Sequence, residues 1–373
     1  MNSVIELLQA LIQIPSVNPD GDPGLCPEGE KKMALFIGAF LEPLGFQIKY
    51  EEAEPGRPNI IARAPGPGNR PRILLGPHLD TVSVTGMTID PYAAEIRDER
   101  IWGRGASDTK GPMAAMLWGL KENAHRLADL PVAVDFVGFM GEESSQPGSR
   151  HFAEHHASDY EFAIVGEPTS LEAVYCTKGC LWATLESTGK ATHASQPQLG
   201  ENAILKLIRA LHRIDTELAP ALAQYHHPVL GRGTANIGTI SGGSRTNIVP
   251  DFATATVDFR TVPDMIEEID TFSRVNEFLE GSGVTIVPSF EYPPMDMSTD
   301  QPWLKRLQSI QPDLKLTGAP WFSDAAHLSD AGLPSICLGP GSINQAHTAD
   351  EFIQIKDLKD GAAWFTRLIQ GLA

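Results

Sequence analysis

The segment Ile73-Leu74-Leu75-Gly76-Pro77-His78-Leu79-Asp80 sets three branched apolar residues before a Gly-Pro break and a His-x-Asp triplet. A short apolar run closed by Gly or Pro suits a strand buried on both faces. The pattern recurs in Val132 to Met140 before Gly141, in Phe162 to Val165 before Gly166, and in Ser335 to Leu338 before Gly339-Pro340. Between the first two runs, Pro112 suits the first turn of a helix, and Met113, Met116, Leu117 and Leu120 give that helix an apolar face. Val4, Leu7, Leu8, Leu11 and Ile12 mark an opening helix stopped by Pro15. Lys31 to Leu44 reads as a second helix, followed by strands at Phe46 to Tyr50 and Asn59 to Arg63. Strands alternating with helices predict an α/β chain with a mostly parallel sheet.

The middle of the chain has a different order. Strand-like Cys180 to Thr188 precedes an amphipathic helix over Asn202 to Leu218. Strands at Ala235 to Ile240 and Phe252 to Phe259 follow, then a helix over Pro263 to Leu279 and a strand at Val284 to Phe290. The order β-α-β-β-α-β predicts a ferredoxin-like α+β unit. Residues 178–293 therefore read as a domain inserted into a catalytic domain made of 1–177 and 294–373.

With 373 residues, two domains is the natural expectation. The formal net charge of −18, from 47 acids against 29 Lys plus Arg, argues against nucleic acid and against an anionic membrane surface as partners. Cys26, Cys176, Cys180 and Cys337 show no zinc-ribbon or disulfide spacing and read as reduced thiols. The N-terminus lacks a basic segment followed by an apolar core, and no run of about 18 apolar residues exists, so the expected location is cytoplasmic.

The chemistry-bearing residues fall just after the expected strands. His78 and Asp80 follow the first, Glu142 and Glu143 the second, and Glu167 the third; His347 lies in the loop after the fourth. Asp108 ends Gly103-Arg104-Gly105-Ala106-Ser107-Asp108, just before the Pro112 helix. Ligands of open α/β sheets bind beyond the carboxyl ends of the strands, so these groups should converge. Two histidines with several carboxylates suit Zn²⁺. Each piece alone has a plainer reading: a surface His-Asp pair, solvated charge at a strand end, a turn glutamate before Pro168. Gly103-x-Gly105 also invites a nucleotide-binding reading, but a full Gly-x-Gly-x-x-Gly after a first strand is absent. The order of the whole set favours a metal site.

The chain resembles a zinc-peptidase family that includes acetylornithine deacetylase, succinyl-diaminopimelate desuccinylase, aminoacylase and carboxypeptidase G. Pro77 to Val82, Gly103 to Gly111, Gly141 to Ser144, Val165 to Thr169 and Ala346 to Glu351 carry the likeness, with Gly189 to Ser195 and Asn247 to Pro250 in the insert. The resemblance implies that Asp108 bridges two metals, with His78 and Glu167 on one and Glu143 and His347 on the other. It implies two Zn²⁺ per chain, with Co²⁺ able to substitute. Asp80 would orient His78, and Glu142 would be the general base. His193 would reach the active site of a partner subunit and steady the oxyanion, which implies a homodimer joined through the inserted domains. Arg260, Asn247 and Ser323 would contact substrate. Thr109 stands where relatives commonly carry Met.

The leading expectation is therefore hydrolysis of the amide bond of a small N-acyl amino acid, in the manner of acetylornithine deacetylase. Rivals are a desuccinylase, a di- or tripeptidase or a carboxypeptidase of the same family. A metal- or peptide-binding protein on a retired scaffold would be expected to lose Glu142 or a ligand, and this chain keeps them all.

Overall fold

The apolar runs become neighbouring strands. In the computed structural model, which describes residues 1–20, 28–266 and 268–373, Ala133–Gly138, Arg72–Pro77, Phe162–Gly166 and Ser335–Cys337 lie side by side in that order, all parallel. The hairpin Gln47–Glu54 and Arg57–Arg63 adds two antiparallel strands beyond Ala133–Gly138. Every residue of Ala133–Gly138 and Phe162–Gly166 is buried, as a sheet covered on both faces requires. Because the four central strands are parallel, their C-terminal ends share one edge. The ladder continues a little past it, with Leu79 N–H donating to the Phe139 carbonyl at 2.7 Å and Phe139 N–H to the Pro77 carbonyl at 3.0 Å.

The chain forms two compact units. One comprises Met1–Tyr175, Met297–Thr317 and Ser323–Ala373; the other comprises Cys176–Asp296 and Gly318–Phe322. The core of the first unit gathers the strands with the helices Val4–Ile12, Gly29–Leu41, Lys110–Glu122 and Ile355–Gln370. A small sheet of Glu95–Arg97, Arg100–Trp102 and Phe352–Gln354 holds the Asp108 loop beside the chain that follows His347.

The second unit is a four-stranded antiparallel sheet in the order Thr234–Gly242, Phe252–Thr261, Gly179–Thr188, Val284–Tyr292. This is the strand order that two interleaved β-α-β units generate. Phe252–Thr261 alternates in burial, so that Ala253, Ala255, Val257 and Phe259 join Leu207, Leu211 and Val275 in a separate core. The helix read over Pro263 to Leu279 is corrected to two, Pro263–Ile266 and Thr271–Leu279. Asp270 has extended backbone and its carboxylate accepts the Ser273 N–H at 2.8 Å, so it starts a new helix. Cys176, Cys180 and Cys337 are buried and outside any disulfide, while Cys26 lies outside the described residues. No helix among the described residues is long and apolar enough to cross a membrane.

Two helices of the first unit meet at Gly119. A Cβ there would stand 2.8 Å from Phe365 Cβ and 3.0 Å from the Phe365 backbone carbon. Alanine favours a helix by about 1 kcal/mol over glycine, yet overpacking costs about 1–3 kcal/mol. Gly119→Ala is expected to lower the urea midpoint despite the better propensity; an unchanged or raised midpoint would show that the helices can part at no cost.

Candidate metal centre

His78 is the first residue beyond the Arg72–Pro77 strand. Its Nε2 lies 3.1 Å from Asp108 Oδ1. His347 Nε2 lies 3.4 Å from Asp108 Oδ2 and 3.0 Å from Glu143 Oε2. Asp108 thus turns one oxygen to each imidazole. One ligand atom from each of His78, Asp108 and Glu143 lies within 4.8 Å of the other two. Glu167, next after the Phe162–Gly166 strand, is buried, and its Oε1 has no hydrogen-bond partner among the described residues. His347 is held at φ 61°, a left-handed backbone uncommon outside glycine.

The electrostatics are those of acids crowded away from water. Burial lifts the carboxyls of Glu143 and Glu167, and the charge of Asp108 lifts both further. Glu142 is raised well above the carboxylate range by burial, against the pull of His78, and Glu167 adds to the rise. Burial also lifts Asp324 to about 7. Burial works against charge on His78, yet hydrogen bonding to Asp108 and Asp80 raises it well above the usual imidazole range. Hydrogen bonds to Asp108 and Glu143 take His347 up to about 10. This cluster calls for positive charge in its midst. Two imidazoles and three carboxylates, one with an unpartnered oxygen, match the nitrogen and oxygen donors that Zn²⁺ takes.

Asp80 supports the cluster in more ways than the sequence implies. Its Oδ1 accepts the Glu142 N–H at 3.1 Å, and its Oδ2 accepts the Glu143 N–H at 3.0 Å and the Asn18 side-chain amide at 2.7 Å. His78 Nδ1 faces the same residue, 3.0 Å from its backbone carbonyl and 3.3 Å from Oδ1. One buried residue therefore orients the imidazole and anchors the backbone of the paired glutamates.

A family model for "Peptidase family M20/M25/M40" matches residues 74–371. The chain belongs to that family. It is a hydrolase of the metallopeptidase and amidohydrolase kind. It is 30% identical over 365 residues to an acetylornithine deacetylase of Vibrio campbellii, covering 94% of this chain and 93% of the relative. Its fold resembles a tripeptidase of Staphylococcus aureus, with a TM-score of 0.79 at 24% identity, covering 99% of this chain and 97% of the other. It also resembles a dinuclear metal-binding peptidase of the M20 family from Bacillus subtilis, with a TM-score of 0.68 at 16% identity, covering 99% and 96%.

Three of the residues expected in the M20 site, His193, Asn247 and Arg260, belong to the second unit. Ala194 N–H donates to the Asn247 carbonyl at 3.0 Å, which sets the His193 and Asn247 loops side by side. His193 Nδ1 accepts the Ser195 N–H at 3.2 Å, so the neutral ring carries its proton on Nε2. Arg260 is paired with Asp258 at 2.9 Å and lies 5.3 Å from the Phe322 ring centroid. Ser323 is buried in the first unit, where its hydroxyl caps a helix by accepting the Ala325 N–H at 3.3 Å and meets Cys337 Sγ at 3.0 Å. Cys176, His227 and Asp296 also cluster within 4.8 Å. There His227 Nδ1 accepts the backbone N–H groups of Val229 and Leu230 at 3.3 and 3.1 Å, which leaves Nε2 a donor rather than a metal ligand.

Sequence reasoning gave no task to Asn18, Gln146 or Glu351. Glu351 lies within a quoted motif, but no local pattern gave it a task. It is fully buried: Oε1 accepts the N–H groups of Ser107 at 2.9 Å and Asp108 at 3.0 Å. Its Oε2 accepts the Gly105 N–H at 3.0 Å and Arg104 Nη1 at 2.8 Å. Glu351 thus fixes the loop that presents Asp108. In Glu351→Gln one acceptor oxygen becomes an NH₂ facing backbone donors. Zn²⁺ affinity, read by competition with a chromophoric chelator, is expected to fall about 10–100-fold, the usual cost of losing a ligand's support. Unchanged affinity in a folded variant would show that Asp108 does not depend on this cradle.

Proposed function

We propose that this M20 hydrolase removes the acyl group from a small N-acyl amino acid, as an acetylornithine deacetylase does. The observation that carries the reading is the 30% identity to that enzyme across almost the whole of both chains. Two Zn²⁺ ions would be held by His78 and Glu167 on one side and by Glu143 and His347 on the other, with Asp108 shared. Zn²⁺ bound there supplies Lewis acidity to the scissile carbonyl and lowers the pKa of water to about 7.

The chain's own residues do the rest. Glu142 takes a proton from the attacking water and returns it to the departing nitrogen. The adjacency of the glutamates divides the work, with Glu142 carrying protons and Glu143 holding metal. Arg260 offers a fork for the substrate carboxylate, which would compete with Asp258 for it. Asn247 and the Ser323 turn would line the substrate's path. Zinc-loaded protein is expected to release acetate from N-acetyl amino acids faster than it cleaves N-succinyl amino acids or dipeptides. A dipeptide preference would move the assignment to the peptidases of the same family. Glu142→Gln should keep its metal and lose most turnover, while near-normal turnover would remove Glu142 as the base.

The reading also includes a homodimer joined through the second unit. Its strand Thr234–Gly242 is an edge of the sheet, with Ile237 and Ile240 exposed, and the neighbouring helix Ala203–Arg213 exposes Leu205 and Ile208. An open edge beside exposed apolar residues favours pairing with another chain. His193 of each subunit would then serve the other's site, its Nε2–H aimed at charge that develops in the transition state. His193→Ala chains mixed with Glu142→Gln chains are expected to recover part of the activity, because one site of each heterodimer holds both intact groups. Verified heterodimers without recovery would overturn donation between subunits.

A further inference from the structure

Gln146 breaks two local rules at once. It is fully buried with φ 51°, in the left-handed region that a non-glycine residue enters only under constraint. Its side-chain Oε1 is buried without a hydrogen-bond partner among the described residues. The loop around it explains how the residue is held: Gln146 N–H donates to the Gly141 carbonyl at 2.9 Å, and Gly148 N–H to the Met140 carbonyl at 3.1 Å. Asn59 clamps the same loop, accepting the Met140 N–H at 3.0 Å and donating to the Gly148 carbonyl at 2.8 Å. The closed loop brings the Gln146 amide nitrogen to 2.7 Å from Glu142 Oε1.

We propose that Gln146 positions Glu142 for proton transfer by donating an amide N–H to Glu142 Oε1, so that Oε2 is the oxygen that accepts and returns the proton. The inference rests on Glu142 being the general base. With Glu142 ionised, as a base must be to accept a proton, the amide presents its NH₂ to Oε1, since the flipped amide would set its oxygen against it. That direction is kept although it leaves Oε1 of Gln146 unpartnered in the interior, a sacrifice of stability that marks a functional position. A carboxylate tied at one oxygen cannot swing about its side chain, and the other oxygen stays in one place through both proton steps. Gln146 touches neither substrate nor metal in this scheme and acts only through Glu142.

The test uses the zinc-loaded enzyme and the acyl amino acid it cleaves fastest. Gln146→Met keeps the length and removes the donor. Gln146→Asn keeps the amide and tolerates the left-handed backbone but is one methylene short. Both are expected to lose about 10–100-fold in kcat with KM, metal content and Tm near the parent values. In a Glu142→Gln background, which no longer has a base to position, Gln146→Met should cost nothing further. Either variant turning over at the parent rate while Glu142→Gln is inactive overturns the proposal and leaves the base standing. Losses that multiply in the double variant, or loss of metal or fold in both single variants, make Gln146 a structural residue and overturn it as well. An active Glu142→Gln would remove the base itself and the proposal with it.

Discussion

The carboxylate of Asp80 is buried at the end of a central strand, and it gathers three donors from elsewhere in the first unit. Two are the backbone N–H groups of Glu142 and Glu143, and the third is the side chain of Asn18. An ionised carboxylate away from water is tolerable only when its oxygens are satisfied. The same condition that keeps Asp80 charged therefore fixes the paired glutamates and one end of the His78 ring. Hydrogen bonding to His78 and Asn18 holds the Asp80 carboxyl below its ordinary range against the opposing effect of burial. The proposed metal-ligand set stands on this contact between two adjacent strand ends.

The same solution appears in the loop that presents Asp108. Glu351 lies in a concave array of backbone donors from Gly105, Ser107 and Asp108, closed by Arg104. Arg57 and the Gly141 N–H meet Glu30 in a third such arrangement, with Arg57 Nε 2.6 Å from Glu30 Oε2 and Gly141 N 2.9 Å from Glu30 Oε1. Each acid accepts backbone N–H groups from a loop that carries a proposed ligand or the proposed base. Loops have no ladder to hold them, and buried carboxylates supply the missing partners.

The second unit follows different physics. Its sheet packs one face on helices through small and branched residues, Ala253, Ala255 and Val257 among them, and it has its own apolar core. On the strand Gly179–Thr188, Trp182 makes edge contacts with Phe290 at 6.4 Å and Tyr292 at 6.2 Å, while Tyr292 stacks on Phe322 at 4.4 Å. Arg260 is paired with Asp258 beside this aromatic group, 5.3 Å from the Phe322 ring centroid. His193 and Asn247 share a second feature of the unit, two loops tied by backbone hydrogen bonding.

The sequence by itself determined the parallel strands and the residues beyond their ends, because both are local. Apolar runs closed by Gly or Pro report burial on both faces, and the next few residues must then emerge at the sheet's edge. The ferredoxin-like order of the insert was legible for the same reason, through periodicity and turns. The break at Asp270 was not, because an N-cap and a helix interior differ by one side-chain hydrogen bond that periodicity does not record. Asn18, Gln146 and Glu351 were likewise silent. Each acts through a partner distant in sequence or through an unusual backbone angle, and nothing in its neighbours encodes that. Tertiary structure alone decided which oxygen meets which N–H, since a buried carboxylate is satisfied by whatever donors the folded chain brings within about 3 Å of it.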